Sequence, residues 1–180
     1  MTNERTRLAV GAWAALLQVH AALVPRLDRD LIQATGLQLS WYDVLLELAA
    51  APDRRLTMGE LAERVVLSRT RVSRIVDELV TAGLVCREDN PRDGRSAFAV
   101  MTANGLTRYR SAAPVYVAGI EREFAARLTD DELRAVARAL RKVIDEPGQA
   151  DGRVIADSRI ARRGAQWTPD RTPSERRRDP

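Results

Sequence analysis

The sequence predicts a mainly α-helical fold that carries one small β-wing. Three observations predict it. Apolar residues recur at steps of three and four over most of the first 146 positions. Between residues 84 and 101 the period falls to two around a turn-forming stretch, the mark of a short hairpin. Aromatic residues make up only 4% of the chain, so the core must come from Leu, Val, Ala and Ile.

The first helix is expected over residues 7–34, where Leu8, Ala12, Ala15, Leu16, Val19, Leu23, Leu27 and Leu31 follow helical steps. Pro25 lies inside it and is expected to kink it, since proline removes a backbone bond and crowds the preceding turn. Gly36 should end it. Ser40 is expected to cap a short second helix with Asp43 in its first turn, Val44, Leu45 and Leu48 on its buried face, and Pro52 closing it. Trp41 and Tyr42 stand together at that helix start, as core packing or else as part of a small-molecule pocket.

Leu56-Thr57 reads as a short strand. Thr57 and Glu60 then form a capping box for a third helix, whose reciprocal bonds satisfy amides that no helical turn can reach. Ser68 caps a fourth helix. Val72, Ile75, Val76, Leu79 and Val80 form one stripe on it, and Arg69, Thr70, Arg71, Ser73, Arg74 and Asp77 fall off that stripe toward solvent. Gly83 stops the helix by taking a left-handed conformation. Residues 84–87 and 96–101 make the hairpin strands, and residues 90–94 their loop. Cys86 in the first strand reads as a small hydrophobe.

A fifth helix is expected from Thr102 to about Arg127, bent near Pro114 and Gly119. A second capping box, Thr129 with Glu132, opens a sixth helix. Its Leu133, Val136, Ala137, Leu140, Val143 and Ile144 keep a near-heptad seam suited to another helix. Beyond Glu146 the periodicity stops, and residues 147–180 carry eight arginines against five acids. That composition is expected to give a disordered, Arg-rich tail.

Composition narrows the function. The chain has 29 basic and 25 acidic residues, and Lys142 is its single lysine. One cysteine excludes an internal disulfide, and Cys86 with His20 cannot build an ordinary structural zinc site. No cofactor or metal is expected. With no Gly-rich phosphate loop and no partnered nucleophile, an enzyme is disfavoured. No apolar run is expected to reach bilayer length and the N-terminus lacks a signal-peptide pattern, which places the chain in the cytoplasm, away from membranes.

Helix, turn, basic helix and hairpin in that order suit duplex DNA. The major groove admits one helix and shows each base pair as a distinct donor–acceptor pattern. Arg69, Arg71 and Arg74 offer forks for guanine and phosphate, and Thr70 and Ser73 short hydroxyls; Ser68 opens the helix end that favours a phosphate. On the hairpin tip, Arg92 and Arg95 flank Asp93. A narrow minor groove attracts an inserted arginine, and Asp93 is spaced to orient the Arg95 guanidinium by an ion pair.

These residues resemble the MarR family of winged-helix regulators over about residues 8–145. The resemblance is sharpest in Leu79 to Val85, in Asp93-Gly94-Arg95, and in Met101-Thr102-Ala103-Asn104-Gly105. Gly94 departs from the basic residue often found there, and Met101 from the usual leucine. The first helix holds no cysteine, which argues against peroxide sensing. The resemblance implies a homodimer in which helices one, five and six interlock and two reading heads meet a palindromic operator in double-stranded DNA. It also implies repression relieved by a small aromatic or phenolic ligand. By position, Arg95 would be the minor-groove arginine, Asp93 its partner, and Arg69, Thr70, Ser73 and Arg74 the groove-facing set. The expected fold is therefore a winged helix-turn-helix with long N- and C-terminal dimerisation helices, in the order helix, helix, strand, helix, helix, strand, strand, helix, helix. Its parts are a dimerisation helix (1–36), the DNA-binding region (37–102), further dimerisation helices (103–146) and the tail (147–180). Two other readings fit the residues: a winged-helix protein–protein module, and a DNA-binding regulator with no small-molecule ligand.

Overall fold

A computed structural model of the chain describes residues 3–65, 68–91, 93 and 96–144, with Arg69 and Ile144 described in backbone only. Among the described residues six α-helices and three strands follow the expected order: α1 (Glu4–Thr35), α2 (Leu39–Ala50), β1 (Arg55–Thr57), α3 (Met58–Arg64), α4 (Arg69–Thr81), β2 (Val85–Asp89), β3 (Ala97–Met101), α5 (Ala103–Glu123) and α6 (Asp130–Ile144). Two single 3-10 turns, Pro52–Arg54 and Ala125–Arg127, were not expected. The second ends the fifth helix earlier than its periodicity suggests. The tail expected over residues 147–180 lies outside the described residues.

The sheet is antiparallel, with β3 between β1 and β2. Leu56 pairs with Ala99 and Val85 with Met101, which sets the buried residues of all three strands on one face. That face closes over α2, the centre of the molecule. Val44, Leu45 and Leu48 are fully buried there, as their spacing predicts, and Val72, Val76 and Leu79 of α4 join them. Val80 departs from the expected stripe and is exposed. It follows Leu79 by a single residue, about 100° around the helix, and so turns away from the core.

Local chemistry makes most of the ends. The Thr57 hydroxyl accepts from the Glu60 amide at 3.2 Å while Glu60 Oε2 accepts from the Thr57 amide at 2.8 Å. Thr129 and Glu132 repeat the arrangement at 3.3 and 2.8 Å. At the end of α4 the Leu84 amide donates to Leu79 and the Gly83 amide to Val80, with Gly83 at φ +69°, the paired closure that a left-handed glycine permits. Ser40 does not cap α2. Gln38 holds the cap position without a side-chain bond, and Asp28 of α1 accepts from the Leu39 amide at 2.7 Å. The cap is supplied from the neighbouring helix, eleven residues back.

α1 runs through Pro25 as one helix of 32 residues, about 48 Å at 1.5 Å per residue. Its second half packs on α5, with Leu27 against Gly119 and with Val24 and Leu31 turned into the core. Arg26 pairs with Glu123 at 3.2 Å, and Arg122 bridges Asp30 and Glu123 on the same seam. Gly119 serves contact where a bend was expected. A Cβ there would stand 2.8 Å from Leu27 Cδ2, so the glycine lets the helices approach. The first half of α1 is different. Leu8 is 69% and Trp13 61% exposed, and no residue from 3 to 22 is buried. Residues 8–25 contain no Asp, Glu, Lys or Arg, so α1 is long and apolar enough to span a bilayer by length and composition. This corrects the expectation that no such run exists; its many alanines and one glycine make it read as weaker than it is.

Gly105 joins the sheet to α5. Leu84 O accepts from the Thr102 amide at 3.1 Å, the Thr102 hydroxyl shares its proton between Gly83 O at 2.9 Å and Leu84 O at 3.1 Å, and the same hydroxyl caps α5 by accepting from the Gly105 amide at 2.9 Å. A Cβ on Gly105 would lie 2.0 Å from Leu84 O, a backbone atom that cannot step aside. Gly105→Ala is therefore expected to destabilise the fold by about 2 kcal/mol or more, since overpacking against backbone leaves no rotamer escape. Urea denaturation measures it.

Asp43 on α2 is held high by burial, reinforced by the charge of Glu47 one turn on. Its carboxyl is raised from 3.8 to about 6. The folded state therefore binds this proton more tightly than the unfolded chain does, so stability falls as pH rises from about 4 to 6. Above that window the ionised carboxyl is a standing cost. Asp43→Asn is expected to raise the melting temperature at pH 7.5 by a few degrees, roughly the effect of 1–2 kcal/mol, with the gain shrinking toward pH 4. Thermal melts of both proteins across that range check the sign.

Candidate nucleic-acid interface

α4 is amphipathic because its apolar residues recur at three and four, and the core takes that side. The opposite side carries Thr70, Arg71, Arg74 and Asp77, all exposed. Ser73 was expected among them but is half-buried, at the shoulder between the two faces. Ser68 caps the helix, accepting from the Arg71 amide at 3.4 Å. The remaining first-turn amides lie at the positive end of the helix dipole, a favourable place for a phosphate.

One ion pair and one indole hydrogen bond tie this helix to its surroundings, and neither was read from the sequence. Arg87 on β2 reaches back to Asp77 at 2.7 Å, joining the wing strand to α4. Arg74 Nε lies 3.3 Å from Glu78 Oε1, and the other oxygen of Glu78 accepts from Trp41 Nε1 at 3.0 Å. The partners are ten residues apart in one case and 37 in the other, beyond any local periodicity. Only the i,i+4 spacing of Arg74 and Glu78 could have been seen.

The wing tip is closed by its own backbone. Asn90 and Ser96 bond across it: the Asn90 amide donates to Ser96 O at 3.3 Å and Asn90 Nδ2 to Ser96 Oγ at 2.7 Å. Asp93 O accepts from the Ser96 amide at 3.0 Å, and the Asp93 amide donates to Asn90 O at 3.1 Å. Asp93 is exposed at the tip. Arg92, Gly94 and Arg95 lie outside the described residues, as does the side chain of Arg69. Below the tip, Arg55 stacks over the Phe98 ring at 5.0 Å, so another arginine is fixed to the sheet beside the wing.

The two aromatic residues at the start of α2 part company. Tyr42 is 1% exposed, stacked on Tyr109 at 5.5 Å between centroids and tilted against Tyr116 at 4.9 Å. Burial pushes its hydroxyl well above the ordinary tyrosine range. Trp41 is half-buried and faces α4 through Glu78.

A three-helix head with a capped basic helix and a three-stranded wing is a winged helix-turn-helix. Comparison with known proteins agrees. The model of the MarR family matches residues 35–96. Sco3205, a MarR family transcriptional regulator from Streptomyces coelicolor solved in complex with DNA, is 32% identical, with a TM-score of 0.72 over 83% of this chain and 93% of that one. AbsC, a MarR family transcriptional regulator from the same organism, is 31% identical, with a TM-score of 0.70 over 79% of this chain and 94% of its own. The HTH-type transcriptional regulator PrsX of Escherichia coli is 31% identical over 77 residues, 43% of this chain. That match spans about half of PrsX, 46% of its length. The chain belongs to the MarR family of transcriptional regulators.

Proposed function

We propose that this regulator is a cytoplasmic homodimer that binds a palindromic operator in double-stranded DNA, and that it represses transcription until a small aromatic or phenolic ligand releases it. One observation carries the DNA reading. α4 turns its apolar stripe into the core and leaves Thr70, Arg71 and Arg74 on the outside, next to a protruding wing. A helix so presented has the diameter and the donors for a major groove. The Streptomyces coelicolor relative solved in complex with DNA supports DNA as the partner. Arg69 would join the groove-facing set, with Arg92 and Arg95 meeting the backbone and minor groove and Asp93 orienting Arg95.

The pairing rests on surfaces left open by one chain. The first half of α1 is exposed along its length, and α6 shows Val136 and Leu140 on its surface and Val143 at 75% exposure. Between α1 and the end of α5 lies a groove of about 370 Å³ lined in part by Val19, Leu23, Phe124 and Leu128. A second copy would cover these together, and we assign the apolar length of α1 to that partner rather than to a bilayer.

Arg95→Ala should weaken operator binding more than the same change at Arg177 in the tail, and Arg71→Ala should reduce the salt slope by about one counterion. Titration of a labelled duplex at several salt concentrations separates them; equal losses at Arg95 and Arg177 would refute the wing assignment. Truncation after residue 146 should leave a dimer by light scattering. Footprints should show two half-sites roughly 34–36 Å apart, and a single protected half-site would contradict the pair.

A further inference from the structure

Arg74 projects from the outer side of α4, its side chain 83% exposed. A long side chain in that position ordinarily samples many rotamers, and ordering it on a base costs entropy. Here it is already tethered. Glu78 Oε1 takes the Arg74 Nε–H, and Glu78 is held from the other side because its Oε2 accepts from the indole N–H of Trp41. Trp41 sits on α2, packed against the core, so the tether ends on the most buried helix of the molecule.

Two features speak against a purely stabilising role. Exposed i,i+4 ion pairs contribute little to stability. A carboxylate on the face of a helix offered to phosphates also repels the ligand that the helix binds. What the arrangement does supply is direction. With Nε engaged, the Arg74 fork has only its two terminal nitrogens to offer, which is an end-on, bidentate geometry matched to guanine O6 and N7.

We propose that Glu78, anchored by Trp41, is a positioning residue that presents Arg74 end-on and so sets base selectivity at the position Arg74 reads, lowering affinity for unspecific duplex while raising discrimination. The inference rests on the DNA-binding reading above and goes beyond it. It makes α2 part of the reading head through a single indole hydrogen bond.

The full-length protein is used to select duplexes from a random library. Affinities for the selected site and for a scrambled duplex are then measured for Trp41→Phe, Glu78→Gln, Arg74→Ala and the double variant Trp41→Phe with Arg74→Ala. Trp41→Phe removes the N–H and keeps a ring. It should cut the ratio of specific to unspecific affinity by about fivefold to tenfold, within the range of one bidentate base contact, while unspecific affinity and salt slope stay put. Glu78→Gln should raise unspecific affinity and also lower the ratio. In the Arg74→Ala background, Trp41→Phe should change the ratio no further. The proposal is overturned if Trp41→Phe leaves the preference intact, or if its effect survives at full size without Arg74. Should Trp41→Phe fail to fold, the half-exposed Glu78→Gln decides the matter: an unchanged ratio overturns it. Failure of the wild-type chain to enrich any duplex is a different result, and it removes the DNA reading together with this one.

Discussion

The carbonyl of Leu84 is where the reading head and the helical arms are joined. It receives two hydrogen bonds from Thr102, one from the backbone and one that the hydroxyl shares with Gly83 O, and the approach is possible only because Gly105 has no side chain. The consequences run in both directions. Toward the N-terminus, the contact sets where β2 begins after α4, because Leu84 also closes the turn at Gly83. Toward the C-terminus it sets where α5 begins and therefore its direction, since the same hydroxyl caps the helix. A wing that shifted on its base would have to move α5 with it.

α2 supplies the other half of that rigidity. It is covered by α1, α4, α5 and the sheet, and its N-terminal amide is satisfied by Asp28 from α1. The tyrosine trio of Tyr42, Tyr109 and Tyr116 fills its junction with α5. Two carboxylates in its middle, Asp43 and Glu47, are costly to bury. The helix retains them while building most of the core, which makes α2 tightly packed yet electrostatically uneasy at neutral pH. In the present reading it also reaches outward through Trp41, so an internal element bears on an external one.

What was legible in the sequence was short-range. Thr57 with Glu60, Thr129 with Glu132, Ser68 and Gly83 all act on amides or carbonyls within five residues, and each did what its residue type implies. The order of elements was legible for the same reason, because periodicity is a local property. What misled or stayed hidden depended on a distant partner. Ser40 looked like a cap because nothing nearby pointed to Asp28. Gly119 looked like a bend because Leu27 is remote in sequence, and Gly105 looked like part of a motif without showing that it was there for Leu84. At the candidate interface the basic face was visible, whereas the Trp41–Glu78 and Arg87–Asp77 bonds that restrain it were not. A periodic stripe also has no sharp edge, and Val80 and Ser73 fell on the wrong side of it.

The exposed front half of α1 bears on how few molecules can work. Nineteen residues of helix, 4–22, stay exposed in one chain, and helices in proteins owe most of their stability to packing of an apolar face rather than to propensity. On the proposed pairing, folding of this arm and assembly of the pair become one equilibrium governed by concentration. Dilution then removes more than occupancy of the operator. It dissolves an element of structure, so that newly made chains at low copy number carry a sticky, half-formed arm until they meet, and the level of expression becomes a determinant of conformation.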